Sequence, residues 1–198
     1  MAIRTDTIDE GVEAGGGVSG AAALFRLLGA LEAGHSDLYG HGEAVAGHCV
    51  AVAQQIGLGP DQVDAISVAG RLHDVGKAGI DRSVLLKPAP LSTAQWAEVC
   101  LHPQIGANLS VACGLGHVAE WIYAHHERPD GAGYPRGLVA DEIPLEAKIL
   151  AAADAYDAMR TDRVYRPALT DEQAAFELRA GVGRQFDGAV VEALLATA

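Results

Sequence analysis

An imidazole and a carboxylate stand side by side at His73 and Asp74, directly after the apolar run Ala65 to Leu72. A helix ending there carries both groups into the interior, where a carboxylate without a cation or hydrogen bonds is costly. The pair therefore calls for a metal or for a satisfied hydrogen-bonded arrangement at a helix end, and alone it does not choose between them. The pattern recurs: His125 and His126 follow the segment Val118 to Ala124, and Asp154 is an isolated charge behind Ala151, Ala152 and Ala153.

Composition narrows the class of fold. The 198 residues suffice for one compact domain with a sizeable core. Their 49% hydrophobic content, with only 5% aromatic residues, favours helices packed on helices over a sheet, so an all-α fold is expected. A formal net charge of −12 argues against generic binding to nucleic acid or an acidic membrane, and an anionic substrate would need local cations. Cys49, Cys100 and Cys113 are odd in number and lack C-x-x-C spacing, which suits reduced thiols. No apolar stretch of about 18 residues and no secretory signal is present, so a cytoplasmic protein is expected.

Along the chain, residues 1–20 are acidic and glycine-rich and read as a flexible leader, with one domain over 21–198. Leu24, Leu27, Leu28 and Leu31 define a helix over Ala21 to Ala33, and a second runs from Val45 to Ile56. Pro60 and Asp61 open the helix that delivers His73 and Asp74. Lys87 to Pro90 cannot lie inside a helix, and Ser92 with Gln95 resembles a capping box for a helix running to about His102, with Pro103 beginning the next. Glu127 to Leu138 holds Pro129, Gly131, Gly133, Pro135 and Gly137, a loop of the kind that reads substrates beside a site. Pro144 opens a long apolar helix bearing Asp154 and, one turn on, Asp157; further helices begin near Asp171 and span Ala189 to Ala196.

Each histidine alone is more often structural than ligating, but the set is harder to dismiss. His41, His73, Asp74, His102, His125, His126 and Asp154 supply five imidazoles and two carboxylates, too many for one tetrahedral zinc and suited to two octahedral ions sharing a carboxylate. Asp74 is the best bridge. Two ions about 3.5–4 Å apart clamp a phosphoryl group and activate water, which is what phosphodiester hydrolysis requires. His35, His48 and His117 are left as structural.

At these residues the chain resembles the HD-GYP family of bacterial phosphohydrolases, known for degrading cyclic di-GMP. The resemblance runs from about Ala30 to the C-terminus through His73 Asp74 Val75 Gly76 Lys77, Leu86 Lys87 Pro88, Leu101 His102 Pro103, His125 to Pro135, and Ala153 to Ala158. The family's Phe-Asp-Pro ending stands here as Phe186 Asp187 Gly188, a departure at a turn rather than at a ligand. The resemblance implies a single helical bundle of the HD type with a loop-rich GYP segment, and the ligand set above. The mixed histidine and carboxylate set suits two divalent ions, iron or manganese better than thiolate-loving metals, although the Irving–Williams order lets zinc or nickel intrude. Some members hold a third ion through a Glu four residues before the first ligand histidine. Here Asp37 precedes His41 by four, and it either ligates, is solvated or caps the following helix.

The expected activity is hydrolysis of cyclic di-GMP to linear pGpG or GMP by a metal-bridging hydroxide, with Asp74 bridging and Lys77 offsetting developing charge. Lys77 lies one turn from His73 if the helix persists past Gly76. Asp157 either orients a ligand or pairs with Arg163. Tyr134 is a candidate for base stacking, and Arg163 and Arg166 for phosphate, as the resemblance implies for the Gly-Tyr-Pro tyrosine and neighbouring basic residues. The short leader leaves no room for a sensor domain, so a diguanylate cyclase or sensor protein acting in trans is the partner the resemblance suggests. The alternatives are an HD phosphohydrolase for another nucleotide, and a module that binds cyclic di-GMP without turning it over.

Overall fold

Two helices cross so closely that a side chain at their contact is excluded. Gly70 lies in α3 (Pro60–Leu72) and Ala46 in α2 (His41–Gln55), and a Cβ on Gly70 would fall 2.6 Å from the Ala46 Cα. That approach lets Val45, Cys49, Val52, Ile66, Ala69 and Leu72 close a dry seam, each fully buried side chain of Leu or Ile size contributing about 1.5–3 kcal/mol. The computed structural model describes residues 16–33, 40–162 and 167–197. Asp37, Arg163 and Arg166, expected at the site, and His35 lie outside the described residues.

Around the α2–α3 pair the chain adds α1 (Gly16–Ala33), a 3₁₀ turn at Val75–Gly79, α4 (Arg82–Leu85), α5 (Thr93–Val99) and α6 (His102–Ala112). There follow α7 (Gly116–Ala124), α8 (Leu145–Arg160), α9 (Asp171–Ala180) and α10 (Gly188–Leu195). Helix α8 packs on α2, α7, α9 and α10, and buries Ala147, Ile149, Leu150, Ala152, Ala153 and Tyr156, the three- and four-residue spacing of one helical face. No β-strand occurs among the described residues, only isolated bridges at Asp130–Val139 and Val182–Phe186, so the all-α expectation holds. None of the described helices is long and apolar enough to cross a membrane. Cys49, Cys100 and Cys113 are unpaired, but only Cys49 is fully buried.

Four boundaries differ from the sequence reading, one of them the start of α2, at His41 rather than Val45. Gly16–Gly20, assigned above to the flexible leader, are the first turns of α1. Tertiary contact explains it: Leu24 of the same helix is buried, and a Cβ on Gly20 would sit 2.7 Å from the Cys113 carbonyl oxygen. The helix expected to reach His102 ends at Val99, and His102 opens α6 with Pro103 in its first turn, where a missing N–H leaves no intrahelical bond unmade. Helix α3 does not persist to Lys77 but tightens into the 3₁₀ turn. A Cβ on Gly76 would collide with the His102 carbonyl, so this glycine lets the turn press against α6. The Ser92–Gln95 capping box forms as read, with both reciprocal hydrogen bonds present.

Candidate metal centre

Helix ends supply all the candidate ligand atoms except those of Asp154, which lies within α8, and one local device orients three of them. His73 follows the last residue of α3, His125 follows that of α7, and His102 stands three residues past the end of α5. Each turns Nδ1 back to the carbonyl three residues earlier: His73 to Gly70 at 2.7 Å, His102 to Val99 at 2.8 Å, His125 to Ile122 at 2.6 Å. Carbonyls in the last turn of a helix lack an intrahelical donor, so the imidazole satisfies one of them. With Nδ1 donating, Nε2 keeps its lone pair and is aimed inward. All three Nε2 atoms are buried and have no hydrogen-bond partner. Three orphaned acceptors around one carboxylate are a poor hydrogen-bonding arrangement and a fitting arrangement for metal ions.

That carboxylate is Asp74. Its Oδ2 lies 3.5 Å from His73 Nε2 and 4.0 Å from His41 Nε2, while Oδ1 lies 3.4 Å from His102 Nε2. The two oxygens thus face two donor groups. Donor atoms of His41, His73 and Asp74 lie within 4.8 Å of one another, and so do those of His102, His125 and His126. Asp154 joins the first group, its Oδ1 being 3.2 Å from His41 Nε2 and 4.0 Å from His73 Nε2. The rings of His73 and His125, 5.3 Å apart, bring the groups side by side. All seven residues read as ligands from the sequence therefore converge. His48 and His117 do not join them: the first meets the Tyr156 ring at 5.0 Å, and the second is exposed.

Asp157, one turn beyond Asp154, accepts from or donates to His41 Nδ1 at 2.6 Å according to the proton's place, and holds that ring from behind. This contact fits the ligand-orienting role weighed for it, while Arg163, the other partner weighed, lies outside the described residues. Burial opposes charge on His41, but hydrogen bonds to Asp154 and Asp157 outweigh it and raise its pKa to about 10. Burial alone would raise the Asp74 carboxyl too, yet Lys77 and the surrounding imidazoles hold it well below the usual carboxylate range. Burial drives His125 well below its ordinary value, and takes His126 to about 4, so both rings are neutral donors at neutral pH. Lys77 Nζ lies 2.5 Å from Asp74 Oδ2, reached through the 3₁₀ turn at three residues' spacing rather than along a helix from His73.

A cavity of about 440 Å³ opens beside these ligands, lined by His125, His126 and Asp154 and by the rings of Trp96, Tyr134 and Phe186. The glycine- and proline-rich segment forms part of its wall. Sequence reasoning gave no role to Glu127, the residue that shapes this segment. It is buried, and its two oxygens accept from the backbone N–H groups of Arg136 at 2.7 Å and Leu138 at 2.9 Å. Arg136 in turn pairs with Glu120 at 2.6 Å and lies over the Tyr123 ring. A signal was available: a carboxylate next to a helix end, before a loop whose amides have no helical partners, is placed to accept from them. Tyr134 N–H donates to the His126 carbonyl, and a Cβ on Gly133 would collide with the Arg128 nitrogen. The loop therefore folds back tightly on the histidine pair.

This architecture, candidate ligands mostly from the ends of packed helices meeting at an adjacent His-Asp pair, defines a class. The family model described as "HD domain" matches residues 29–190, and the chain belongs to that family, with the motif order of its HD-GYP branch. Among its relatives is a 3'3'-cGAMP-specific phosphodiesterase 2 of Vibrio cholerae, 39% identical over 175 residues, covering 87% of this chain and 34% of the relative. The cyclic di-GMP phosphodiesterase response regulator RpfG of Xanthomonas campestris is 44% identical over 147 residues, covering 73% of this chain and 39% of RpfG. This chain thus spans between a third and two fifths of the length of these two relatives. Bd1817, an HDG"Y"P protein of Bdellovibrio bacteriovorus, shares the fold with a TM-score of 0.63 at 24% identity, over 79% of this chain and 50% of Bd1817. The cyclic GMP-AMP phosphodiesterase V-cGAP3 of V. cholerae does so with a TM-score of 0.66 at 19% identity, over 88% and 47%.

Proposed function

We propose that this chain is a metal-dependent phosphodiesterase that hydrolyses cyclic di-GMP to linear pGpG or on to GMP. The observation that carries the reading is Asp74, whose two oxygens face two separate donor groups while three orphaned imidazole nitrogens surround it. His41, His73, Asp74 and Asp154 would hold one divalent ion, and Asp74, His102, His125 and His126 the other. Neutral imidazoles mixed with carboxylates favour iron or manganese over thiolate-seeking metals. Such ions supply Lewis acidity toward phosphoryl oxygens and activate water at neutral pH.

The chain's own residues do the rest. Asp74 holds Lys77 and so fixes a positive charge beside the ligand carboxylate, where it would offset charge developing on the phosphoryl oxygens. Asp157 keeps the His41 ring in place. Local cations matter because the net charge of −12 repels an anionic substrate at long range. Arg163 and Arg166 are proposed phosphate contacts, and Asp37 a ligand for a third ion. The setting proposed is the cytoplasm, with a diguanylate cyclase or sensor protein as partner in trans.

A second reading, hydrolysis of 3'3'-cGAMP, is favoured by the relative that matches 87% of this chain, which is named for that substrate. Anaerobic reconstitution with iron and with manganese, followed by chromatography of products from cyclic di-GMP and from 3'3'-cGAMP, tests both. Linear product from cyclic di-GMP is expected. Rapid cleavage of nucleotide monoesters with both cyclic dinucleotides untouched would overturn the reading, and binding without product under either metal would leave only a nucleotide-binding module.

A further inference from the structure

The cavity has an aromatic corner that begins at the His126 ring, and its two further rings are not equivalent. Tyr134 lies tilted at 31° to His126 with centroids 4.8 Å apart, and meets the Trp96 ring at 76° and 6.1 Å. Tyr134 is half-buried and engaged with both neighbours. Trp96 is 52% exposed, although it lines the same cavity. It sits on α5, a helix that buries none of its residues. A large ring left partly in water forgoes the burial that usually justifies a tryptophan.

Polar contacts nevertheless fix where α5 stands. The Ser92–Gln95 box closes its start, Lys87 Nζ donates to Gln95 Oε1 at 2.7 Å, and Asp81 N–H donates to Glu98 Oε1 at 2.9 Å. The ring is thus held at the cavity with part of its surface uncovered. Two ring contacts link it to His126, so a nucleotide whose phosphate lies at the histidine end can lay its base at the tryptophan end.

We propose that Trp96, rather than Tyr134, is the stacking platform for one purine base of the bound cyclic dinucleotide, an inference that rests on the substrate class proposed above. Tyr134 instead packs His126 and limits the space beside it. Because every base offers a π-face, Trp96 contributes affinity for cyclic dinucleotides as a class and little choice between guanine and adenine.

The test uses manganese-loaded protein carrying Trp96→Ala or Trp96→Phe, with initial rates on cyclic di-GMP and 3'3'-cGAMP. Trp96→Ala is expected to raise KM for whichever is hydrolysed about 10-fold or more while kcat stays within about twofold, and Trp96→Phe to recover most of the loss. In a Trp121→Phe background Trp96 is the sole tryptophan, and its emission is expected to be quenched saturably by cyclic di-GMP. An unchanged KM in Trp96→Ala, with Trp96 emission unaffected by ligand, overturns the stacking role while hydrolysis by the parent stands. Saturable quenching in a parent that yields no product does the reverse: it upholds the stacking and sinks the hydrolase reading. If Trp96→Ala does not fold, the quenching titration and Trp96→Phe decide the matter.

Discussion

On one side of the site His73 and His125 are buried, and each is tied to the carbonyl three residues earlier in the packed helix that it ends. On the other side, α5 and the segment after His126 are held by Ser92, Gln95 and Glu127 with little apolar burial. The first wall is as rigid as the helices that end in it, since moving an imidazole means moving a packed helix. The second wall can shift at the loss of a few hydrogen bonds. Ligand geometry for a metal tolerates little displacement, whereas a base or phosphate can be met by several side-chain arrangements. On the proposed function, the metal chemistry is thus built into the bundle, and substrate binding is left to the part that can vary without unfolding it.

Removing the shared carboxylate is the severest way to break the rigid wall. Asp74→Ala is expected to abolish metal retention and turnover together, the latter by roughly 10³-fold or more, with metal content read by elemental analysis. Full metal content in that variant would contradict the bridging position. Asp157→Ala, which frees the back of His41, should lower metal affinity about 10–100-fold with a smaller change in Tm. Competition with a chelator measures it, and parent-like affinity would mean that Asp157 only fills space.

The adjustable wall should answer differently. Glu127→Gln loses one charge-assisted acceptor for two loop amides, so KM is expected to rise about 10-fold with metal stoichiometry intact. A loss of metal in this variant would show that the two walls are not separable. Ser92→Ala has the smallest expected effect. It costs about 1 kcal/mol of helix capping, read as faster amide hydrogen exchange confined to α5 with Tm nearly unchanged. Exchange accelerated throughout the bundle would join the two regions after all.

The residues of the site were more legible than the geometry that unites them. Polar donors behind apolar runs marked His73, Asp74, His125, His126 and Asp154, because a buried charge needs a partner. Their helices were legible from spacing. Glu127 and Trp96 were less so: a carboxylate's choice of loop amides and an indole's incomplete burial depend on neighbours distant in sequence. The start of α1 was missed for the same reason, since Gly20 is helical against Cys113 and not by its own propensity.

Sequence by itself determined the class of fold and the capping of α5 and proposed seven candidate donors, all from local periodicity and the chemistry of single side chains. Only the tertiary structure decided how those donors divide into two groups about the two oxygens of Asp74. It also decided that Asp157 turns to His41, and that Gly76 lets the turn bearing Lys77 meet α6. The physical reason is reach: spacing along a helix sets which face a residue occupies, but the distance between faces is set by how closely helices far apart in the chain can pack.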